Sequence, residues 1–71
     1  MKNLIKVERA KQNMTQAELA EKVKVSRQTI NSIEIGKFIP TTLLSLKIAA
    51  VFHTTVNDIF SLEEKDWEQK F

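Results

Sequence analysis

Apolar residues recur every three or four positions through most of the chain, a spacing that is typical of amphipathic helices. Leu19, Ala20 and Val23 form one such stripe, and Ile30 and Ile33 form the next. The 71 residues include one glycine and one proline, which is too few for the tight turns of an all-β domain. The pattern therefore predicts one small domain of helices joined by short loops.

Capping residues define where the predicted helices begin and end. Thr15 and Glu18 form a capping box, in which the hydroxyl accepts the backbone N–H of Glu18 and the carboxylate accepts that of Thr15. Asn13 and Gly36 tolerate the left-handed backbone that ends many helices. The predicted elements are a first helix over residues 2–12, a second from Thr15, a third from Ser26, a fourth from Leu43 to Phe52 and a short fifth from Thr55.

Residues 16–35 combine two short capped helices with a linker of only two residues. Ala20 is small, as it must be where the second helix of the pair crosses the first. This is the helix-turn-helix pattern. Lys24 stands where the turn requires a positive φ, which we expect to cost about 1 kcal/mol relative to glycine. The apolar residues predicted to fix the crossing and fill the core are Leu19, Val23, Val25, Ile30, Ile33, Leu44, Ile48 and Phe52.

Composition removes several classes of functional site. The chain has no cysteine, so disulfides, thiolate chemistry and cysteine-based zinc sites are excluded. His53 stands alone at a predicted helix end and is interpreted as a surface or capping residue. The sequence has no glycine-rich phosphate loop and no histidine–carboxylate pair that spacing supports. No cofactor, metal or small-molecule ligand is therefore predicted, and an enzyme is the least favoured class.

Charge is distributed unevenly along the chain. Residues 1–60 carry nine basic and five acidic side chains, whereas residues 61–71 carry two basic and four acidic ones. A positive body suits a polyanionic partner, and an acidic tail suits a different role. The longest apolar run, Ile48–Phe52, is too short to span a membrane, and the N-terminus has no signal-peptide core. We therefore expect a cytoplasmic protein without a membrane partner.

Four segments together resemble the XRE family, the DNA-binding domains of lambdoid phage repressors and Cro. They read T-Q-A-E-L-A-E-K-V, V-S-R-Q-T-I-N-S-I-E-x-G-K, P-T and L-K-I-A, and the resemblance covers residues 4–60. The chain is most similar to small stand-alone bacterial regulators such as the cytolysin repressor. The resemblance implies an all-α, five-helix, lambda-repressor-like DNA-binding domain over residues 1–60, with the helix-turn-helix at 16–35 and a C-terminal extension at 61–71.

The resemblance also assigns roles to individual residues. Arg27 and Gln28 open the implied recognition helix, and their chemistry agrees, because arginine can bind guanine and glutamine can bind adenine through paired hydrogen bonds. Arg9 and Glu34 match a half-buried salt bridge between the first and third helices. The further implied base contacts are Thr29, Asn31 and Ser32. The implied contacts with the DNA backbone are Thr15, Gln16, Ser26, Lys37 and Phe38.

Residues 61–71 allow two interpretations. Leu62, Trp67 and Phe71 are large apolar residues among acidic neighbours, and exposed aromatic residues are common anchors of protein interfaces. The favoured interpretation is a dimer contact. The alternative is a frayed tail with Trp67 resting on its own domain.

These observations predict a transcriptional regulator, by default a repressor, that binds double-stranded DNA as a homodimer. A two-fold dimer requires a nearly palindromic operator with half-sites about 10 bp apart. The alternative from another class is a protein-interaction module, such as an antitoxin or adaptor with the same fold. Copurification of a second protein and binding that is insensitive to salt would favour that alternative.

Overall fold

The computed structural model describes residues 1–70, and Phe71 lies outside the described residues. Five α-helices appear in the predicted order, with two short strands and one C-terminal 3₁₀ helix around them. The elements are β1 Lys2–Asn3, α1 Ile5–Lys11, α2 Gln16–Val23, α3 Arg27–Glu34, α4 Thr42–Val51, α5 Val56–Ile59, β2 Phe60–Ser61 and the 3₁₀ helix Glu64–Glu68.

The core lies between α2, α3 and α4, with α1 and α5 closing its ends. Ala20 is buried where α2 and α3 pack together, which is the reason for a small residue there. The buried apolar residues are Ile5, Leu19, Ala20, Val23, Ile30, Ile33, Leu44, Ile48, Ala49, Phe52, Ile59 and Phe60. The residues predicted as core are all buried except Val25, which packs against the cluster and is partly buried.

The first four helices end in the same way, with a left-handed residue that turns the chain. These residues are Asn13, Lys24, Gly36 and His53, with φ angles of 51°, 64°, 83° and 55°. After each, the following backbone N–H bonds a carbonyl five residues back, such as Val25 N to Ala20 O at 3.0 Å. This Schellman arrangement satisfies carbonyls that the helix leaves unpaired. The predicted left-handed conformation of Lys24 is confirmed, and the sequence interpretation had not assigned one to His53.

The prediction of an all-α fold requires a correction, because the two ends of the domain form a small antiparallel sheet. Lys2 pairs with Ser61 and Asn3 with Phe60, and Leu4 N donates to Ile59 O at 2.9 Å. The first helix consequently begins at Ile5 rather than at residue 2. The backbone N–H and C=O groups of residues outside the helices also need hydrogen-bond partners. The segments at residues 2–4 and 59–61 pack against the same core, so they pair with each other.

The 3₁₀ helix is attached to the N-terminus of the chain by charge. The α-amino group of Met1 lies 2.9 Å from Glu63 Oε1 and 3.1 Å from Asp66 Oδ1. Asp66 also accepts the backbone N–H of Glu63 at 2.7 Å. Trp67 is 77% exposed, so it does not rest on its own domain. Within residues 1–70, no helix has the length and apolar character needed to cross a membrane.

Candidate nucleic-acid interface

The first turn of α3 presents polar side chains above a buried apolar side. Ser26 caps this helix, because its hydroxyl accepts the backbone N–H of Thr29 at 3.1 Å. Arg27 and Gln28 are exposed, whereas Ile30 is buried. The left-handed Lys24 turns the chain so that only three residues separate the end of α2 at Val23 from the start of α3 at Arg27. The helix start is therefore held in place by capping and packing while its outer side chains remain accessible.

Arg9 and Glu34 meet in a bidentate ion pair between α1 and α3. Arg9 Nε donates to Glu34 Oε2 at 2.7 Å, and Arg9 Nη2 donates to Oε1 at 3.0 Å. The two side chains are only 14% and 6% exposed. Arg9 Nη1 also donates to Met14 O at 2.8 Å, just before α2. The hydrogen bonds to Glu34 raise the pKa of Arg9, although burial opposes this shift.

Gln16 continues this ion pair towards the exposed surface. Its Nε2 donates to Glu34 Oε1 at 3.2 Å and to Asn31 Oδ1 at 3.1 Å. Its Oε1 accepts from Arg27 Nη1 at 3.2 Å. Since an amide nitrogen carries two hydrogens, both side-chain donors of Gln16 are occupied within the protein. We name Arg9, Glu34, Gln16, Asn31 and Arg27 the polar network.

The N-terminus of α2 offers backbone donors to an anion. Thr15 and Glu18 form the predicted capping box, with Glu18 N to Thr15 Oγ1 at 3.0 Å and Thr15 N to Glu18 Oε1 at 2.9 Å. The hydrogen bond from the backbone N–H of Thr15 to the Glu18 carboxylate lowers the pKa of Glu18. The first N–H groups of a helix have no intrahelical partner, so those of Gln16 and Ala17 remain for a phosphate. The predicted contact of Gln16 with the DNA backbone remains a prediction.

A shallow groove runs along the outer side of α3. It is lined by Ser26, Gln28, Thr29, Ser32 and Phe38. The backbone N–H groups of Lys37 and Phe38 both donate to Ser32 O, at 2.9 and 3.1 Å, which folds this segment back beside α3. Three predicted base-contacting residues (Gln28, Thr29 and Ser32) and two predicted backbone-contacting residues (Ser26 and Phe38) thus line one groove. The hydroxyls of Ser26 and Thr29 lie 2.9 Å apart.

The polar network contains connections that sequence reasoning missed. The sequence interpretation paired Arg9 with Glu34, and the structure places them in contact. It gave Gln16 and Asn31 separate roles on DNA, whereas the structure joins them by a hydrogen bond. Their separation of fifteen residues carries no periodic signal, because the contact depends on how α2 crosses α3. Among the described residues, no cluster of histidine and acidic side chains has the arrangement of a metal site.

Comparison with protein families and curated proteins gives a consistent result. The model of the Helix-turn-helix family matches residues 5–59. An HTH-type transcriptional regulator of Archaeoglobus fulgidus is 48% identical over 71 residues, covering 99% of this chain and 100% of that protein. YgzD, an HTH-type transcriptional regulator of Bacillus subtilis, is 44% identical over 66 residues, covering 93% of this chain and 100% of YgzD.

Solved structures with the same fold include longer regulators. A chain of the SinR–SinI complex superposes with a TM-score of 0.72 at 30% identity, covering 93% of this chain and 63% of that one. The clp gene regulator ClgR of Corynebacterium glutamicum gives a TM-score of 0.71 at 26% identity, covering 76% of this chain and 57% of ClgR. The chain thus spans under two thirds of each of these longer chains.

Proposed function

The chain belongs to the XRE-type helix-turn-helix family, and from that premise we propose that it represses transcription as a cytoplasmic homodimer on a near-palindromic operator. Membership of the family makes it a transcriptional regulator with a helix-turn-helix DNA-binding domain. The more specific assignments are ours. Bases are read by Arg27, Gln28, Thr29, Asn31 and Ser32, and the DNA backbone is held by Thr15, Gln16, Ser26, Lys37 and Phe38.

One observation carries the assignment of base reading to the start of α3. Arg27 and Gln28 are exposed on a helix turn whose capping residue and buried side are both fixed. A short helix presented in this way fits the major groove, where arginine pairs with guanine O6 and N7 and glutamine with adenine N6 and N7. The N-terminus of α2 lies beside it, since Gln16 Oε1 accepts from Arg27, and such a helix end suits a contact with a phosphate of the DNA backbone. Lys37, whose backbone N–H bonds Ser32 O, is proposed as a further contact with the DNA backbone.

The homodimer is supported by large apolar side chains that the fold leaves in contact with water. Leu43 and Leu46 lie three residues apart on the outer side of α4, and Leu43 is 65% exposed. Leu62, 61% exposed, and Trp67 follow the last strand. We name these four residues the apolar surface. Exposed aromatic residues such as Trp67 are common anchors of protein interfaces, and we propose that residues 61–71 form the extension through which two domains of residues 1–60 associate.

Repression follows from occupancy of the operator. Each subunit reads one half-site, and a two-fold dimer spaces the half-sites about 10 bp apart, one turn of the duplex. Contacts with the phosphates supply affinity and register, while contacts with base edges supply sequence preference. A dimer bound across a promoter in this way excludes polymerase from it.

Selection of bound sequences from a random duplex pool tests the proposal. The expected result is one enriched motif made of two inverted half-sites with centres about 10 bp apart. Binding to the selected duplex should weaken steeply as salt rises, because counterions are released from neutralised phosphates. A pool that remains random after several rounds would contradict sequence-specific binding. A single unpaired motif would contradict the homodimer.

A second candidate is a protein-interaction module with the same fold. The apolar surface favours it, and so does the similarity to a chain that was solved in a complex of two proteins, SinR and SinI. In that case a second protein should copurify with the chain, and the complex should be insensitive to salt. Leu46→Lys should then disrupt that complex without changing any residual affinity for DNA.

A further inference from the structure

We propose that the α-amino group of Met1 is a modification site, and that its acylation detaches residues 62–70 from the two-stranded sheet. Because residues 61–71 are proposed to hold the homodimer together, acylation also weakens the dimer and its binding to the operator. The statement about the dimer rests on the proposed function, whereas the statement about detachment concerns the fold alone. The modifying group is a small acyl group, such as acetyl, supplied by an acyl thioester.

The register of the sheet brings the amino group to the C-terminal extension. Lys2 pairs with Ser61, so one further step along the same register places Met1 beside the segment that leads into the 3₁₀ helix. The α-amino nitrogen lies 2.9 Å from Glu63 Oε1 and 3.1 Å from Asp66 Oδ1. The side chain of Met1 is partly buried and packs against the hydrophobic core, which holds the amino group in this place.

Asp66 is the residue through which the amino group stabilises the 3₁₀ helix. Its side chain is only 7% exposed, and its two oxygens have separate partners. The Met1 ammonium donates to Oδ1, and the backbone N–H of Glu63 donates to Oδ2 at 2.7 Å. A carboxylate removed from water is costly unless it is paired and hydrogen-bonded. The positive charge on Met1 therefore stabilises the folded arrangement of residues 63–66.

Acylation removes this positive charge. The ammonium first loses a proton, and the neutral nitrogen then attacks the carbonyl carbon of the thioester. An N–C bond forms while the C–S bond breaks, and the second proton that the nitrogen loses goes to the departing thiolate, which leaves as a thiol. Hydrogen bonds to Glu63 and Asp66 raise the pKa of the amino group, so the bound amino group stays protonated and unreactive. Acylation therefore takes place when the segment is open or before the chain folds.

The acylated nitrogen cannot replace the ammonium. An amide nitrogen of this kind carries one hydrogen and no charge, so it can bond only one of the two carboxylates. The Met1 ammonium lowers the pKa of Glu63, against an opposing contribution from the nearby charge of Asp66. Without the ammonium, the repulsion between these two carboxylates is no longer compensated by Met1. The segment that carries Leu62 and Trp67 is then released from the sheet.

The test compares two versions of the full chain made by chemical synthesis, one with a free α-amino group and one acetylated there. Hydrogen exchange measured by NMR follows the backbone N–H groups of Glu63 and Asp66, which bond within this segment. We expect acetylation to speed their exchange by about tenfold or more. The N–H of Ile48, in the buried part of α4, should exchange at an unchanged rate. Sedimentation should show the dissociation constant of the dimer rising by about threefold or more, because the interface is no longer pre-organised.

Two double variants serve as matched controls. Glu63→Gln with Asp66→Asn removes both carboxylates that bind Met1, so acetylation should change nothing further. Glu64→Gln with Glu68→Gln removes the same amount of charge from the C-terminal segment but keeps both carboxylates that bind Met1. In that variant acetylation should still have its full effect.

Each other outcome has a separate meaning. If Glu63 and Asp66 exchange at the same rates in the free and the acetylated chain, the amino group does not hold the segment and the inference is wrong. If exchange at Ile48 also becomes faster, acetylation unfolds the whole domain and the inference is also wrong. If the segment is released but the dimer is unchanged, acylation does not control association. If the chain with a free amino group is already a monomer, the proposed homodimer fails, and the exchange rates still decide whether Met1 attaches the segment.

Discussion

Two surfaces of this small domain differ in how their side chains are used. At the start of α3, exposed polar groups are joined to buried ones, from Arg27 through Gln16 to Glu34 and Arg9. On the apolar surface, Leu43 and Trp67 extend into water. The first surface has its hydrogen-bond directions fixed before any ligand binds. The second surface has apolar area that a partner could bury, and burial of apolar area does not require a particular orientation of the partner.

This difference indicates two kinds of partner. Hydrogen bonds specify geometry, and their net free energy is gained only when the partner offers matching groups, as base edges and phosphates do. Burial of apolar area is non-directional and favours any complementary apolar surface. A duplex suits the polar network, and a second protein surface suits the apolar one. A regulator that binds DNA as a dimer requires both, so each surface can be tested separately.

The largest expected effect comes from removing part of the apolar surface. Deletion of residues 62–71 should leave a folded monomer, because the core is complete at Phe60. Operator affinity should fall by about 100-fold or more, since the second half-site no longer binds at high effective concentration. Sedimentation and operator titration measure both results.

A double variant provides the control for that deletion. Leu62→Ser combined with Trp67→Ser keeps Glu63 and Asp66, whose carboxylates bind the Met1 α-amino group, and should also be monomeric. If both altered chains still sediment as dimers, the interface lies on α4, and Leu46→Lys should then break it.

The next largest effect concerns the Arg9–Glu34 ion pair, the buried part of the polar network. Glu34→Ala should lower the free energy of unfolding by about 2–3 kcal/mol, because it leaves Arg9 buried without its partner but still bonded to Met14 O. Chemical denaturation measures this change. The matched control is Glu8→Ala, which breaks the exposed Lys11–Glu8 pair and should cost less than about 0.5 kcal/mol. Equal denaturation curves for Glu34→Ala and the unaltered protein would show that the ion pair contributes nothing.

A smaller effect is expected at the turn between α2 and α3, which sets the direction of α3. Lys24 has φ 64° and ψ 44°, where a Cβ is unfavourable and glycine is not. Lys24→Gly should therefore raise the free energy of unfolding by at most about 1 kcal/mol, the gain being reduced by the greater freedom of glycine in the unfolded chain. Asn13→Gly is a control with a smaller expected gain, because asparagine already tolerates this conformation. A lower denaturation midpoint for Lys24→Gly would contradict the left-handed turn.

The predictable parts of the fold are those determined by residues that lie close together in the sequence. The predicted capping residues Thr15 and Ser26 each accept a backbone N–H three residues later, so these two helix starts are confirmed. Thr41 caps α4 in the same way, and α4 begins at Thr42, one residue before the predicted Leu43. The positive φ of Lys24 follows from a two-residue turn between two capped helices. The burial of Ile30 follows from helical periodicity, which is also local.

The features that were not predictable join residues that are distant in sequence. Asn3 of β1 pairs with Phe60 of β2 although most of the sequence lies between them, and neither residue alone indicates a strand. The Gln16–Asn31 contact depends on the crossing of α2 and α3. Both residues were identified as candidates for DNA contact from their types and positions. Gln16 also donates to the Glu34 carboxylate, a contact that the sequence does not predict.

The most direct test of the account is a titration of Arg27→Ala against two duplexes, the selected operator and a scrambled sequence. Loss of the paired contact with guanine should cost about 1–3 kcal/mol on the operator and relax preference at one base position, with little change on the scrambled duplex. Lys37→Ala, which removes a proposed phosphate contact, should weaken both duplexes alike. Equal losses on both duplexes for Arg27→Ala would contradict base reading by the start of α3.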